Sequence, residues 1–466
     1  MAVLINQTPN TIFDQAYGPN PVTLSGIPVD PITGILLANK YVLQIYRNGE
    51  LIADLRQTPN RVARAIFDIQ NVLQNFVSPS INSVEQTGFI GDSILNSAKE
   101  TTPYELHAGF EDNVGVTIQT IQPGFISFGG SKEYFEVPYD PIEFIPVLAT
   151  PECTTIVLQG KPFTEQTSYR MGIDITDGKP TWLLDSMRVY DHYVTASDMT
   201  TISYYNQPSG TGPILAQSIE SFLFYQYNNS TLVSIDQLPN IQGDGGGPNV
   251  NPGDGIIPEY PYKAVTVGAG PRNFQAFAAG TTTHYYIATG AYTPCTQTVP
   301  GIADGSMHYV HRFNIIEEAC NDFPEYQFSW LNKYGFRDYY SFRKRKDRSV
   351  QINRNTYLKE SANYNSTSYD VNIYDRGTTV YSQALEETFT AFTNYISNED
   401  AIFLEGLYTS ADVKVRFNDA NGSEQFQWVP IALISSSYTE KTTRKDQLFQ
   451  YDIKFKKAHN LKSQRG

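Results

Sequence analysis

Cysteine, methionine and charge are all scarce in this chain of 466 residues, and each scarcity excludes something. Three cysteines, Cys153, Cys295 and Cys320, are too few and too scattered for a disulfide framework. Neither Cys-x-x-Cys nor His-Glu-x-x-His occurs, so the common zinc signatures are missing. His308 and His311, with Cys295 and Cys320 nearby in sequence, come nearest to a metal cluster. Their odd separation on a strand sends the two imidazoles to opposite faces, and ordinary half-buried histidines are expected instead. Gly-x-Ser-x-Gly is also missing, and Cys320 sits among Glu317, Glu318 and Asp322, which would raise a thiol pKa rather than activate it. No apolar run approaches bilayer length. Met1 to Gln7 lacks the basic start and apolar core of a signal peptide, so synthesis in a cytoplasm is expected. Charged residues make up only 18% and leave a net charge of −14, which argues against general nucleic-acid binding. The 48 acidic residues offer too many carboxylate pairs to single out a glycosidase site. The expectation is a protein without catalytic, metal-binding or cofactor-binding residues.

What the chain has in quantity is aromatic and β-forming residues, including 32 Tyr and 26 Phe. This composition predicts a mainly β fold of several β-sandwich or barrel-like units with a few short helices. Boundaries fall at a β domain with one short helix over 1–130, a second β region over 131–241, and a Gly/Pro-rich linker or loop over 242–259. An aromatic-rich β domain over 260–381 and a C-terminal helix plus small β unit over 382–466 complete the division. The linker holds Asp244 and Asp254, but its spacing matches neither an EF-hand nor a calcium-binding repeat.

Local patterns are sharper. Lys40 to Tyr46 and Leu51 to Leu55 flank Asn48-Gly49, the strongest short hairpin signal. Asp68 can cap a helix whose Ile69, Val72, Leu73, Phe76 and Val77 share one face. Ser397 and Asp400 form a variant capping box before Phe403, Leu404 and Leu407. Val413, Val415 and Phe417 alternate as a strand, Asn421-Gly422 turns, and residues 427–434 return. Phe449, Tyr451, Ile453 and Phe455 then face one way along the last strand.

The most informative stretch is 325–342. Tyr326, Phe328 and Trp330 alternate with Gln327 and Ser329, the pattern of a strand with one buried face. Asn332 to Gly335 supplies a turn, and Phe336, Tyr340 and Phe342 continue on the return leg. So much aromatic surface needs a partner, either its own domain's core, the stronger expectation, or a neighbouring subunit. Candidate interface residues are Tyr326, Phe328, Trp330, Phe336, Tyr340, Phe342, Arg343 and Arg345. The basic run Arg343 to Arg348 reads as a solvated loop or a charge-protected sheet edge, or else as a docking patch for an acidic neighbour.

The same hairpin resembles a segment of virion structural proteins of tailed bacteriophages, in which an apolar strand is followed by Leu-Asn-x-x-Gly and an aromatic return strand; here the motif is Leu331-Asn332-Lys333-Tyr334-Gly335. Two further blocks share the resemblance: Tyr41 to Pro59 with the Phe67-Asp68-Ile69 helix start, and Ser437 to Ile453 with the closing Gln464-Arg465-Gly466. Residues 80–260 carry none of it. The resemblance implies a virion subunit, made in the host cytoplasm, in a tail, neck/collar or baseplate position. It would act through contacts with other virion proteins as a homo-oligomer in a symmetric ring or adaptor, and no catalytic residue carries over. Alternatives are a virion-displayed receptor- or polysaccharide-binding protein and a polysaccharide depolymerase.

Overall fold

The computed structural model describes residues 3–9, 13–27, 39–78, 94–97, 101–131, 142–145, 157–160, 169–173, 180–182, 192–196, 198–206, 221–239, 263–273, 281–290, 308–316, 325–358, 377–396, 398–417, 428–434, 450–458 and 463–465. The fold is mainly β, as its composition predicts, with two helices among the described residues, Gln70–Leu73 and Asn398–Thr409. The three cysteines, the 242–259 segment, Ser397, the Asn421-Gly422 turn and Phe449 lie outside the described residues. The chain divides into two compact units. The first is Met1–Glu318 with Leu331–Tyr339, and the second is Ala319–Trp330 with Tyr340–Gly466.

The first unit opens with two sheets that share one core. A five-stranded sheet runs in the order Phe13–Tyr17, Val116–Ser131, Thr101–Glu111, Lys40–Arg47, Glu50–Gln57. The Asn48-Gly49 turn has positive φ at both residues, +50° and +81°. That conformation matches the right-handed twist of the flanking strands, and only residues tolerant of the left-handed region adopt it cheaply. A three-stranded sheet of Leu4–Gln7, Pro21–Ser25 and Ala65–Asp68 supplies Val22, Leu24 and Phe67 to the cluster that also holds Leu43, Ile45 and Leu106. Buried Tyr41 keeps its hydroxyl satisfied, donating to the Ala63 carbonyl at 2.6 Å and accepting from Ile27 N at 3.1 Å. The N-cap position is Ile69 rather than the expected Asp68; Asp68, one residue earlier, still accepts from Gln70 N at 3.1 Å and from Asn20 N at 3.0 Å. The helix itself is a single turn, yet Ile69, Leu73 and Val77 are buried on the predicted face.

A second pair of sheets in this unit requires a correction to the predicted domains. The three-stranded sheet Thr201–Asn206, Lys263–Gly268, Ile94–Ser97 draws strands from three of the predicted regions. Ser221–Asn228 pairs with His284–Gly290 across the 242–259 segment, inside a seven-stranded sheet. Ile202, Val267, Phe224, Tyr285 and Phe313 bring the two sheets into one core. Composition does not reveal strand partners; backbone hydrogen bonding decides which strands belong together, and it pairs strands from both sides of this segment.

The second unit is built on an eight-stranded sheet wrapped on one helix; Leu331 and Arg337–Tyr339 of that sheet count with the first unit. Its order is Arg337–Phe342, Tyr326–Leu331, Val413–Phe417, Trp428–Leu433, Asp452–Lys457, Thr378–Phe392, Lys346–Leu358, with Ser463–Arg465 also on Thr378–Phe392. The pairing of Lys346–Leu358 with Thr378–Phe392 crosses the predicted boundary at 381/382, so that division is also corrected. Phe342 and Lys346 lie on opposite end strands, yet only residues 343–345 join them. Four Cα steps reach at most about 14 Å, so the sheet must curl until its ends approach, which makes it barrel-like. Aromatic rings fill the interior: Phe328 lies 5.2 Å from Phe455, Phe389 stacks 5.4 Å from Phe455, and Trp330 meets the helix through Phe403 at 5.0 Å. Helix residues Ala401, Phe403, Leu404 and Leu407 are buried in the same cluster. The last strand follows the predicted alternation, with Tyr451, Ile453 and Phe455 buried while Asp452, Lys454 and Lys456 are exposed.

Candidate functional site

The 325–342 hairpin forms as its pattern predicts. Asn332 folds the turn, its carbonyl accepting from Gly335 N at 3.0 Å and its side chain from Tyr334 N at 3.0 Å and Phe336 N at 3.1 Å. Gly335 adopts φ +81°. A Cβ there would stand 1.9 Å from the Gly129 carbonyl oxygen, so close backbone approach requires glycine as much as the dihedral does.

This hairpin is core. Phe328, Trp330, Phe336 and Phe342 are buried within the chain, while Tyr326 and Tyr340 are half-buried and pack on the cluster that holds Phe328 and Trp330. These six candidate interface residues therefore have intrachain partners. The expectation of one buried face is corrected as well: Gln327 and Ser329 are also buried, and Gln327 stands directly opposite buried Arg416 on the neighbouring strand. Polar side chains that alternate with aromatic ones signal two different faces, but not that one of them is wet.

Arg343 pairs with Glu325 at 2.7 Å in a nearly closed position, and the ammonium of Lys346 lies 4.8 Å over the Tyr326 ring. Burial lowers the Lys346 pKa to about 8, with Glu325 acting against that shift and Arg343 adding to it. Arg345 is exposed and pairs with Asp347 at 2.9 Å. Residues 343–345 connect two strands, and from Lys346 onward the basic run lies on a sheet edge, one of the alternatives its sequence leaves open: Lys346–Leu358 is a terminal strand of the sheet.

That strand, thirteen residues long, is the most exposed element described. It pairs with Thr378–Phe392 from Lys346↔Ala391 to Leu358↔Thr378, and a register shift falls between Asn355 and Thr356. The body holds this two-stranded ribbon through its inner strand at two places. Asp452–Lys457 pairs with Phe389 to Phe392 at the base, and Ser463–Arg465 with Ser382 to Ala384, opposite Asn353 to Asn355 toward the far end. Every residue from Asp347 to Leu358 is exposed. Val350 and Ile352 share one face, at 43% and 46% exposure, and Tyr357, Leu358, Val380 and Tyr381 add apolar surface toward the tip. Arg348 bonds Glu387 across the strands, and Lys456 holds Glu386 at 3.4 Å. Lys344 and Arg354, also exposed, have no ion pair among the described residues. Sequence reading missed the ribbon's apolar residues; the alternation of Val350 and Ile352 with Ser349, Gln351 and Asn353 was the available signal.

His311 differs from expectation. It is fully buried rather than half-buried, and its Nδ1 lies 3.2 Å from Nε2 of buried His192, whose ring stacks on Phe313 at 4.3 Å. Burial drives the His311 pKa down to about 3; burial first, then repulsion from His311, holds His192 well below the ordinary imidazole range. Both rings are thus neutral near pH 7, and one ring nitrogen donates to the other. No group of three or more His, Cys, Asp or Glu among the described residues could hold a metal ion, and no helix among them is long and apolar enough to cross a membrane. The chain matches no protein-family model and no curated protein sequence.

Proposed function

We propose that this chain is a structural subunit of a tailed-phage virion, in a tail, neck/collar or baseplate position, acting through protein–protein contacts rather than catalysis. The observation that carries this reading is the ribbon of Lys346–Leu358 and Thr378–Phe392. It extends Val350, Ile352 and Leu358 into solvent on a strand with no second neighbour among the described residues. An isolated protein gains nothing from such an edge, which invites strand addition and buries little apolar area; a partner that covers it explains both its length and its side chains. The hairpin resemblance supplies the virion context, and the closed aromatic core supplies the rigid mount that such a contact needs. The test is mass spectrometry and immunogold labelling of purified particles from a phage that encodes the chain. Stoichiometric presence at one position is expected; particles that form and infect normally without the protein would remove the proposal. A glycan array on the same protein gives no signal on this reading.

A further inference from the structure

We infer that the ribbon docks on the acidic body of a second copy of this chain, an inference that rests on the structural-subunit reading and names its partner. Residues 343–358 and 378–392 hold the cations Arg343, Lys344, Arg345, Lys346, Arg348 and Arg354 against the acids Asp347, Glu386 and Glu387. The segment therefore stands at +3, and the remainder of a −14 chain at −17. All three acids are engaged by cations, Asp347 by Arg345, Glu387 by Arg348 and Glu386 by Lys456, whereas Lys344 and Arg354 project uncompensated among the described residues.

This segregation chooses among partners. Two ribbons laid edge to edge would set cation against cation, so like-charge repulsion disfavours that symmetric contact. A ribbon on the body of another copy sets a basic element on an acidic surface, which steers encounter and fixes orientation. Shape agrees with charge. The strand is roughly 40 Å long at the usual rise per residue, meets no other strand of its own chain on its outer side among the described residues, and carries no proline to block new backbone hydrogen bonds. Val350 and Ile352 lie mid-strand between Arg348 and Arg354, an apolar centre with a charged rim, the usual anatomy of a protein contact.

The test is sedimentation of the full chain over a range of concentration and salt. Wild-type protein is expected to self-associate at low salt and to dissociate as screening rises between about 0.05 and 0.5 M salt. Lys344→Glu with Arg354→Glu should weaken association by about tenfold or more, and Val350→Thr with Ile352→Thr should do the same, because truncated or repelled central contacts dominate such interfaces. Threonine keeps the strand propensity, and circular dichroism checks that both variants fold. The Thr variant retains an intact acidic body, so untagged variant should still be captured by tagged wild-type chain. Failure of that capture, with wild-type self-association intact, would mean ribbon-on-ribbon pairing and overturn the inference. A wild-type chain that stays monomeric throughout, yet whose ribbon variants drop out of particles, would overturn the inference while sparing the structural reading. Particles that need no such protein at all would take both.

Discussion

The hairpin of 325–342 and the ribbon that follows it are built from adjacent stretches of chain and occupy opposite ends of one sheet order. One is closed on both faces, down to the glutamine and serine between its aromatics; the outer strand of the other is exposed from Asp347 to Leu358, including its valine and isoleucine. The difference shows that aromatic density is a guide to folding and a poor guide to contact. Large rings are consumed first by the chain's own interior, because burying them provides most of the stability a β unit has. The apolar side chains left exposed on the ribbon are moderate in size and flanked by charge.

Several experiments can break this comparison. The largest effect is expected from Gly335→Ala, which adds both a left-handed strain and an overlap with the Gly129 carbonyl; about 4 kcal/mol or more should be lost, read as the urea midpoint by circular dichroism. Trp330→Ala comes next, at about 3–5 kcal/mol, since its ring is fully buried against Phe403. A small loss for Trp330 would show that the hairpin is not core after all. At the junction, Lys346→Met should raise stability near pH 7 by about 1 kcal/mol after screening, because it removes a half-buried charge whose pKa is lowered. The sign follows from protons: between about 8 and 10.5 the unfolded chain binds more of them, so wild-type stability rises with pH through that window and the Met variant loses the rise. The smallest effect on folding belongs to the ribbon. Ile352→Thr should change the urea midpoint by no more than about 0.5 kcal/mol equivalent, as an exposed substitution does. A large loss there would place the ribbon in a core and erase the contrast.

Much of the local structure was legible in sequence. Asn48-Gly49 named its turn, Ile453 and Phe455 their face, and Phe403, Leu404 and Leu407 their helix, because each depends on residues close along the chain. The pairing of Tyr326–Leu331 with Val413–Phe417 did not show, nor did the union of Ser221–Asn228 with His284–Gly290. Strand partners distant in sequence share no short-range signal, and any alternating strand presents the same pattern to many possible neighbours. The ribbon was hidden for a related reason. Arg343 to Arg348 reads equally as a solvated loop or a charge-protected sheet edge, because charge alone does not distinguish a turn from the start of an exposed strand. The buried imidazole pair was equally hidden, since His192 and His311 meet only through a parallel pairing of strands 119 positions apart.

The interior position of Asp452–Lys457 has a consequence for how the protein is made. This late strand lies between Trp428–Leu433 and Thr378–Phe392, in the middle of the sheet order rather than at its margin. Until a ribosome has passed residue 457, the second unit lacks the strand that joins its two halves, and the rings of Phe389 and Phe328 lack their contact with Phe455. The first unit can condense while later residues are still being translated, whereas the ribbon's mount waits for the strand that ends at Lys457. On the proposal that the ribbon docks on another copy, association would therefore wait until the first unit of each chain has formed.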